Sequence, residues 1–269
     1  MLRGMPSPAA MRVVTWNVNG IRARFGEVVE LCRVVEPDLL CLQELKAAPS
    51  QVPEPLTGLP AYASFWHGGP GGYSGVSLHV RRAWASETGA AARFAPPAFD
   101  VQSRAIEVAL APGLRALSLY VPNGNRDLPG KLAFLSALRA HVRQARETGV
   151  DLLLLGDLNV ARADIDVHPT LRAARSIGQT VGERELFAAL LSDGDLIDVG
   201  RAFAPDDDGL FTWWPPWREE RRKNHGWRLD YVLATRRLAD GMTSCRVLSQ
   251  FGTSDHAPVE AVLSVSIQG

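Results

Sequence analysis

The sequence predicts a sheet-rich α/β fold built as one domain. Three observations carry this reading: eight short apolar runs of strand character are spread along the chain, three longer segments with helical spacing lie among them, and no flexible linker divides them.

In order along the chain, RVVTW at 12–16 opens the series with a β-branched pair, Val13 and Val14, that favours extended backbone. A helical pattern follows over 25–36. DLLCL at 38–42 reads as a strand, and GVSLHV at 75–80 as another in which apolar and polar residues alternate. AIEVAL at 105–110 and LRALSLYV at 114–121 come next. Over 130–147 apolar residues recur at three to four positions, as Leu132, Leu135, Leu138 and Val142 do, which predicts a helix. DLLLLG at 151–156 is fully apolar after its first residue. A helix is expected over 183–191, then strands at 229–234 (LDYVLA) and 259–265 (VEAVLSV). The Pro and Gly clusters at 49–60, 67–75 and 95–98 are short and flanked by core-like segments, so they read as loops.

With 269 residues and 46% hydrophobic side chains, the chain has ample material for a buried core. No run approaches the ~18 apolar residues that a membrane span requires, and MLRGMPSPAA lacks the apolar centre of a secretory signal. A soluble cytoplasmic protein is expected, with a flexible tail over 1–10. Cys32, Cys41 and Cys245 are odd in number and spaced for neither a disulfide framework nor a CxxC metal site, so reduced, buried thiols are expected. The 29 basic residues balance 29 acidic ones, and net charge therefore lends no support to nucleic-acid binding. Arg218, Arg221, Arg222, Lys223 and Arg228 do cluster locally; they read either as a solvated surface or as a binding patch.

Acidic and amide residues collect at the strand ends. Asn17 and Asn19 follow RVVTW, Glu44 follows DLLCL, and Tyr120 and Asn123 end LRALSLYV; Asp157 and Asn159 follow DLLLLG, Asp230 opens LDYVLA, and Asp255 and His256 precede the last strand. Loops at one end of a rigid sheet are where chemistry is presented. Each motif alone also has a plain structural reading. Gly156-Asp157 is a common turn, although Gly156 would let the backbone approach a ligand. Glu44 needs a counter-charge if buried, which a divalent cation or Lys46 could supply. Asp255 beside His256 suits a carboxylate that orients an imidazole for work on a phosphate. Trp227 and Leu229 share one side of a strand start, and FTWWPPW at 211–217 supplies either a stacking surface or a loop anchor.

Taken together, WNVNGIRAR (16–24), LQELK (42–46), YSGVSL (73–78), YVPNG (120–124), GDLNVA with DIDVH (156–168), KNHGWRLDY (223–231) and SDHAP (254–258) resemble the exonuclease III and abasic-site endonuclease family within the DNase I-like fold. The resemblance runs from about Met11 to Val265. It implies a four-layer α/β-sandwich of two packed mixed β-sheets flanked by helices, in one catalytic domain over 11–269. It implies hydrolysis of DNA phosphodiester bonds 5′ to abasic sites, with 3′-phosphodiesterase and 3′→5′ exonuclease activity on duplex DNA, by a monomer using Mg²⁺, with Mn²⁺ an alternative. Carried over by position, Asn17 and Glu44 belong to the metal site, with Asp157, Asn159, Asp230, Asp255 and His256 as further candidates near it. Asp157 matches the group that activates water and Asn159 its partner; His256, held by Asp255, matches the contact to the scissile phosphate, beside Tyr120. Trp213, Trp227 and Leu229 match a pocket for the extruded sugar, and Arg126 a DNA-gripping arginine. Two other functions fit the generic blocks: a same-fold enzyme acting on inositol phosphates or lipid headgroups, and a non-catalytic DNA-binding relative.

Overall fold

The computed structural model describes residues 9–265. Its strands are β1 (Ala9–Asn17), β2 (Leu39–Gln43), β3 (Tyr62–His67), β4 (Val76–Arg81), β5 (Arg93–Ala95), β6 (Ala105–Ala111), β7 (Leu114–Tyr120), β8 (Asp151–Asp157), β9 (Leu196–Asp198), β10 (Asp230–Thr235), β11 (Met242–Val247) and β12 (Val259–Val265). They form two six-stranded sheets, one ordered β11-β12-β1-β2-β4-β3 and the other β5-β6-β7-β8-β10-β9. Each sheet is mixed and has a parallel pair at its middle, β1 with β2 and β7 with β8, flanked by antiparallel neighbours.

All eight predicted strands form, and each predicted helix is present, as α1 (Ile21–Val35), α4 (Leu128–Glu147) and α5 (Val181–Gly194). Short helices α2 (Glu54–Thr57), α3 (Arg82–Thr88), α6 (Val199–Phe203), α7 (Glu220–Lys223) and α8 (Arg236–Ala239) complete the set among the described residues. The tail expected over 1–10 ends earlier than foreseen. Ala9 and Ala10 already pair with Val265 and Ser264, because β12 is long enough to hold them; residues 1–8 lie outside the described residues.

Strand alternation sets the layers. Leu153 and Leu155 of β8 face the other sheet, where Val13, Cys41 and Leu78 meet them, while Leu152 and Leu154 face Leu135, Leu138 and Val142 of α4 and Phe187 of α5. Burial on both faces explains why DLLLL is continuously apolar. On the outer face of the first sheet, Trp16, Leu40 and Leu42 pack on Val28 and Leu31 of α1. The result is helix, sheet, sheet, helix, as the resemblance implied. Gly156 serves this packing rather than a ligand, contrary to the sequence reading. A Cβ there would lie 1.9 Å from the Leu119 carbonyl oxygen on neighbouring β7, so only glycine fits.

Registry brings the functional loops to one end. Asn17 at the close of β1 sits opposite Gln43 at the close of β2, and Asp157 at the close of β8 sits opposite both Tyr120 of β7 and Asp230 of antiparallel β10. Thr15 of β1 pairs with Val259, placing the loop before β12 at the same rim. The rims of the two sheets are joined by polar contacts. Gln43 accepts from Thr15 Oγ1 at 3.1 Å and donates to Ser118 Oγ of the opposite sheet at 3.1 Å.

Candidate active site

Asp157 stands at the floor of this rim, 1% exposed, and its carboxylate is gripped from three directions. The Asn159 backbone N–H donates to Oδ1 at 2.8 Å, and Oδ2 accepts from Asn17 Nδ2 at 2.9 Å and Asn159 Nδ2 at 3.1 Å. The Asn17 contact crosses from one sheet to the other. Burial is the main influence on the Asp157 carboxyl and pushes its pKa up to about 7, with the positive charge of His256 opposing and the negative charge of Asp230 adding to the rise. A carboxylate poised near neutrality can accept a proton from water.

His256 faces it, with Nε2 at 4.0 Å from Asp157 Oδ2. The sequence reading assigned the holding of His256 to its neighbour Asp255, and the structure corrects this. Nδ1 instead bonds Asp230 Oδ2 at 2.8 Å. Adjacent residues in an extended turn point different ways, so the Asp255 carboxylate turns to accept from Asn19 Nδ2 at 2.7 Å and Trp213 Nε1 at 3.0 Å. Asp230 is itself fixed by Thr212 Oγ1, which donates at 2.6 Å, while its other oxygen is buried with no partner among the described residues. Burial disfavours the imidazolium, yet the surrounding carboxylates, Asp230 foremost, outweigh it and raise the His256 pKa to about 10. At neutral pH His256 is therefore a cationic donor, and it stands beside an Asp157 carboxyl poised to exchange a proton.

Glu44 and Tyr120 form the opposite wall. The Tyr120 hydroxyl donates to Glu44 Oε1 at 3.1 Å, and Lys46 Nζ lies 3.3 Å from the same oxygen. Glu44, Asn19, Lys46 and Asn159 all have positive φ, between 45° and 57°, a conformation that non-glycine residues adopt at a cost of about 1 kcal/mol or more. The asparagines enter this region readily, whereas Glu44 and Lys46 do not, so for these two the surrounding packing holds the backbone where local preference would not. Among the described residues no three His, Cys, Asp or Glu side chains are grouped to cage a metal. Glu44, with Oε1 engaged by Tyr120 and Lys46, and the Asn17 amide oxygen, which accepts from the Asn19 N–H at 3.0 Å, are nonetheless hard oxygen donors with further lone pairs, a set that fits a largely hydrated Mg²⁺-type ion and does not suit zinc.

Comparison with known proteins places this geometry. The model of the endonuclease/exonuclease/phosphatase family matches residues 14–256. The chain belongs to this family. It is 34% identical to the DNA repair nuclease APEX1 of Danio rerio over 96% of its own length and 83% of that protein's. It is 31% identical to recombination repair protein 1 of Drosophila melanogaster, spanning 95% of this chain but 37% of that much longer relative. Among solved structures, the 3′-5′ exonuclease NExo of Neisseria meningitidis superposes with a TM-score of 0.82 at 30% identity, covering 95% of this chain and all of that one.

In this family member the predicted residues converge on one cavity of about 770 Å³. Asn17, Glu44, Tyr120, Asp157, Asn159, Asp255 and His256 line it together with Trp213, Trp227 and Leu229. Asp230 stands behind His256 rather than at the surface of the cavity. Arg126 lines an adjoining cavity that shares Tyr120, Asn123 and Asn125 with the first. Trp213 and Trp227 are locked edge to face, with ring centroids 5.8 Å apart and reciprocal backbone hydrogen bonds of 2.9 and 2.8 Å. FTWWPPW thus divides its roles: Trp213 lines the cavity, Trp214 is buried as an anchor, and Trp217 is 59% exposed at the rim.

The basic cluster disperses. Arg228 is buried between Asp166 and Asp198, and Arg221 donates to the carbonyls of Ser249, Phe251 and Ser254. Sequence reasoning singled out neither Thr212 nor the 175–177 segment, and it named Asn123 only among the amides at strand ends; all of them build or line the site. Asn123 is signalled by YVPNG and donates to Asn159 Oδ1 at 3.2 Å, whereas Arg175, Ser176 and Ile177 carry no motif. No helix among the described residues is long and apolar enough to cross a membrane.

Proposed function

We propose that the cleft hydrolyses the phosphodiester backbone of duplex DNA on the 5′ side of abasic sites and at blocked 3′ ends. One observation carries the reading. A buried carboxylate base and an imidazolium face each other at 4.0 Å on the floor of a cavity with aromatic walls. Water would be positioned by Asp157 and Asn159, and Asp157 takes its proton as the oxygen bonds to phosphorus. His256 donates a hydrogen bond to a non-bridging oxygen as charge builds there, the contribution made by preorganised donors in such sites. The P–O3′ bond breaks, and the departing O3′ oxyanion takes a proton from solvent, leaving a 3′-hydroxyl and a 5′-phosphate on the sugar. A divalent ion, Mg²⁺ or Mn²⁺, held by Glu44 and Asn17, would supply charge neutralisation at the phosphate and leaving oxygen.

Substrate choice follows from the pocket. A baseless sugar loses no stacking or pairing when extruded, and Trp213, Trp227 and Leu229 offer it an apolar slot. The names of the relatives, a DNA repair nuclease and a 3′-5′ exonuclease, support DNA over inositol phosphates. A 5′-labelled duplex carrying a tetrahydrofuran abasic analogue, incubated with Mg²⁺ or with EDTA, tests the proposal. Cleavage beside the lesion only, requiring the metal and lost in Asp157→Asn with DNA binding retained, is the expected outcome. Equal cleavage of an intact duplex would sink the pocket argument, and phosphate release from inositol phosphates without nicking would overturn the choice of substrate.

A further inference from the structure

A fully buried ion pair lies directly beneath the cleft, and nothing in the chemistry above uses it. Lys131, in the first turn of α4, and Glu183, in the first turn of α5, are each 0% exposed, with Lys131 Nζ 2.5 Å from Glu183 Oε1. Removing two charges from water is expensive, and such a pair is often replaceable by apolar side chains without loss of stability. Stability is therefore a weak reason for its presence. Its partners suggest another.

An ammonium has three N–H donors, and those of Lys131 meet acceptors on three different segments. Besides Glu183, Nζ donates to the Asn159 carbonyl at 2.6 Å and to the Asn123 carbonyl at 3.1 Å. Asn159 is the residue whose backbone and side chain both grip Asp157, and it does so at a φ of 51°. Capturing its carbonyl helps to hold that conformation. Asn123 leads from β7 towards α4 and donates its side-chain amide to Asn159.

Glu183 extends the connection to the pocket wall. Its two oxygens accept from the Gly178 N–H at 2.9 and 2.8 Å, and Oε2 also accepts from the Thr180 N–H and hydroxyl at 3.1 and 2.6 Å. Gly178 ends the 175–178 loop that lines the cavity. It has a φ of 90°, and a Cβ there would lie 3.0 Å from the Trp227 ring and 3.1 Å from the Asn159 carbonyl oxygen. The pair thus touches, on one side, the clamp on the water-activating carboxylate and, on the other, the backing of the sugar pocket.

We infer that Lys131 and Glu183 are positioning residues that fix Asn159 and Gly178 relative to each other, so that Asp157 and the Trp227 wall keep the spacing the reaction needs. This rests on the nuclease reading of the site. Misplacement by about 1 Å of groups far from the chemistry is enough to lower rates ~100-fold. The decisive variant is the double change Lys131→Met with Glu183→Leu, which removes both charges at once.

The expected result is a lowered thermal midpoint, since the Gly178 and Thr180 N–H groups lose their acceptor, with a kcat on the tetrahydrofuran duplex, measured well below that midpoint, reduced by roughly 100-fold, and a Kd for that duplex in EDTA changed less than about threefold. A structure of the variant should have lost the Asn159 N–H to Asp157 contact. If the pair were merely structural, the folded double variant would turn over at the wild-type rate despite its lowered thermal midpoint, and that overturns the inference. Glu183→Gln alone, which preserves shape, serves where the double variant does not fold; unchanged kcat in it overturns the inference as well. Absence of cleavage by the wild type counts against the nuclease reading instead, and the Asn159 geometry in the variant structure then decides the positioning role by itself.

Discussion

At the scale of single residues, the site depends on which carboxylate holds which partner. Asp230 at 2.8 Å is the anion that makes His256 a cation near neutrality, while Asp255 is engaged by Asn19 and Trp213. The two can be distinguished by titration of the imidazole. Asp230→Asn should move the His256 pKa from about 10 a long way down towards its ordinary value of about 6.5, and Asp255→Asn should move it far less, since Asp255 is the weakest of the three named carboxylate influences. Imidazole resonances followed by NMR across pH 5 to about 11 would measure both. A larger fall for Asp255→Asn would restore the sequence-derived pairing and remove Asp230 from the account. The sequence could not decide this point. SDHAP puts Asp255 next to His256 in the chain, but the side chain that reaches Nδ1 comes from β10, 26 residues away.

At the scale of secondary-structure elements, the strands were legible because each buries two faces and so reads as an apolar run or an alternation. DLLLLG and LRALSLYV could hardly be anything else. The elements that were not legible are short or half-exposed. β5 has only three residues and β11 has several part-exposed side chains, so neither produces an apolar period. Element packing also explains Gly156, which the sequence suggested as room for a ligand. Because its Cβ would sit 1.9 Å from Leu119 O and 2.7 Å from Leu119 C on the paired strand, Gly156→Ala must push β7 and β8 apart. Overpacking of this kind destabilises by about 1–3 kcal/mol or more. Urea unfolding should therefore give a lowered midpoint with an unchanged slope. Activity should fall too, as Asp157 follows Gly156 directly. A variant as stable as wild type would mean that the two strands are less tightly joined than described.

For the whole molecule, the two sheets act as one platform because polar side chains cross the layer as well as apolar ones. Asn17 reaches Asp157, Gln43 reaches Ser118, and the Trp16 indole donates to the His256 carbonyl at 3.1 Å. Cooperative unfolding is the consequence, so a buried titrating group anywhere in the sheets should influence global stability. His79 of β4 is such a group. It is fully buried with its ring nitrogens bonded to Ser64 and Ser77 hydroxyls at 2.8 Å each, and burial lowers its pKa to about 3. The fold accepts only the neutral ring, while the unfolded chain protonates near about 6.5. Stability from this residue is thus complete above about pH 6.5 and is lost at roughly 1.4 kcal/mol per unit as pH falls towards the folded-state value. Between pH 7 and 5 that amounts to about 2 kcal/mol. Comparing urea midpoints of wild type and His79→Gln at both pH values isolates this residue from the other titrating groups. The wild type should lose about 2 kcal/mol more than the variant over that interval. Parallel losses would mean that the imidazole can be protonated in place, and that the interior around β4 admits water.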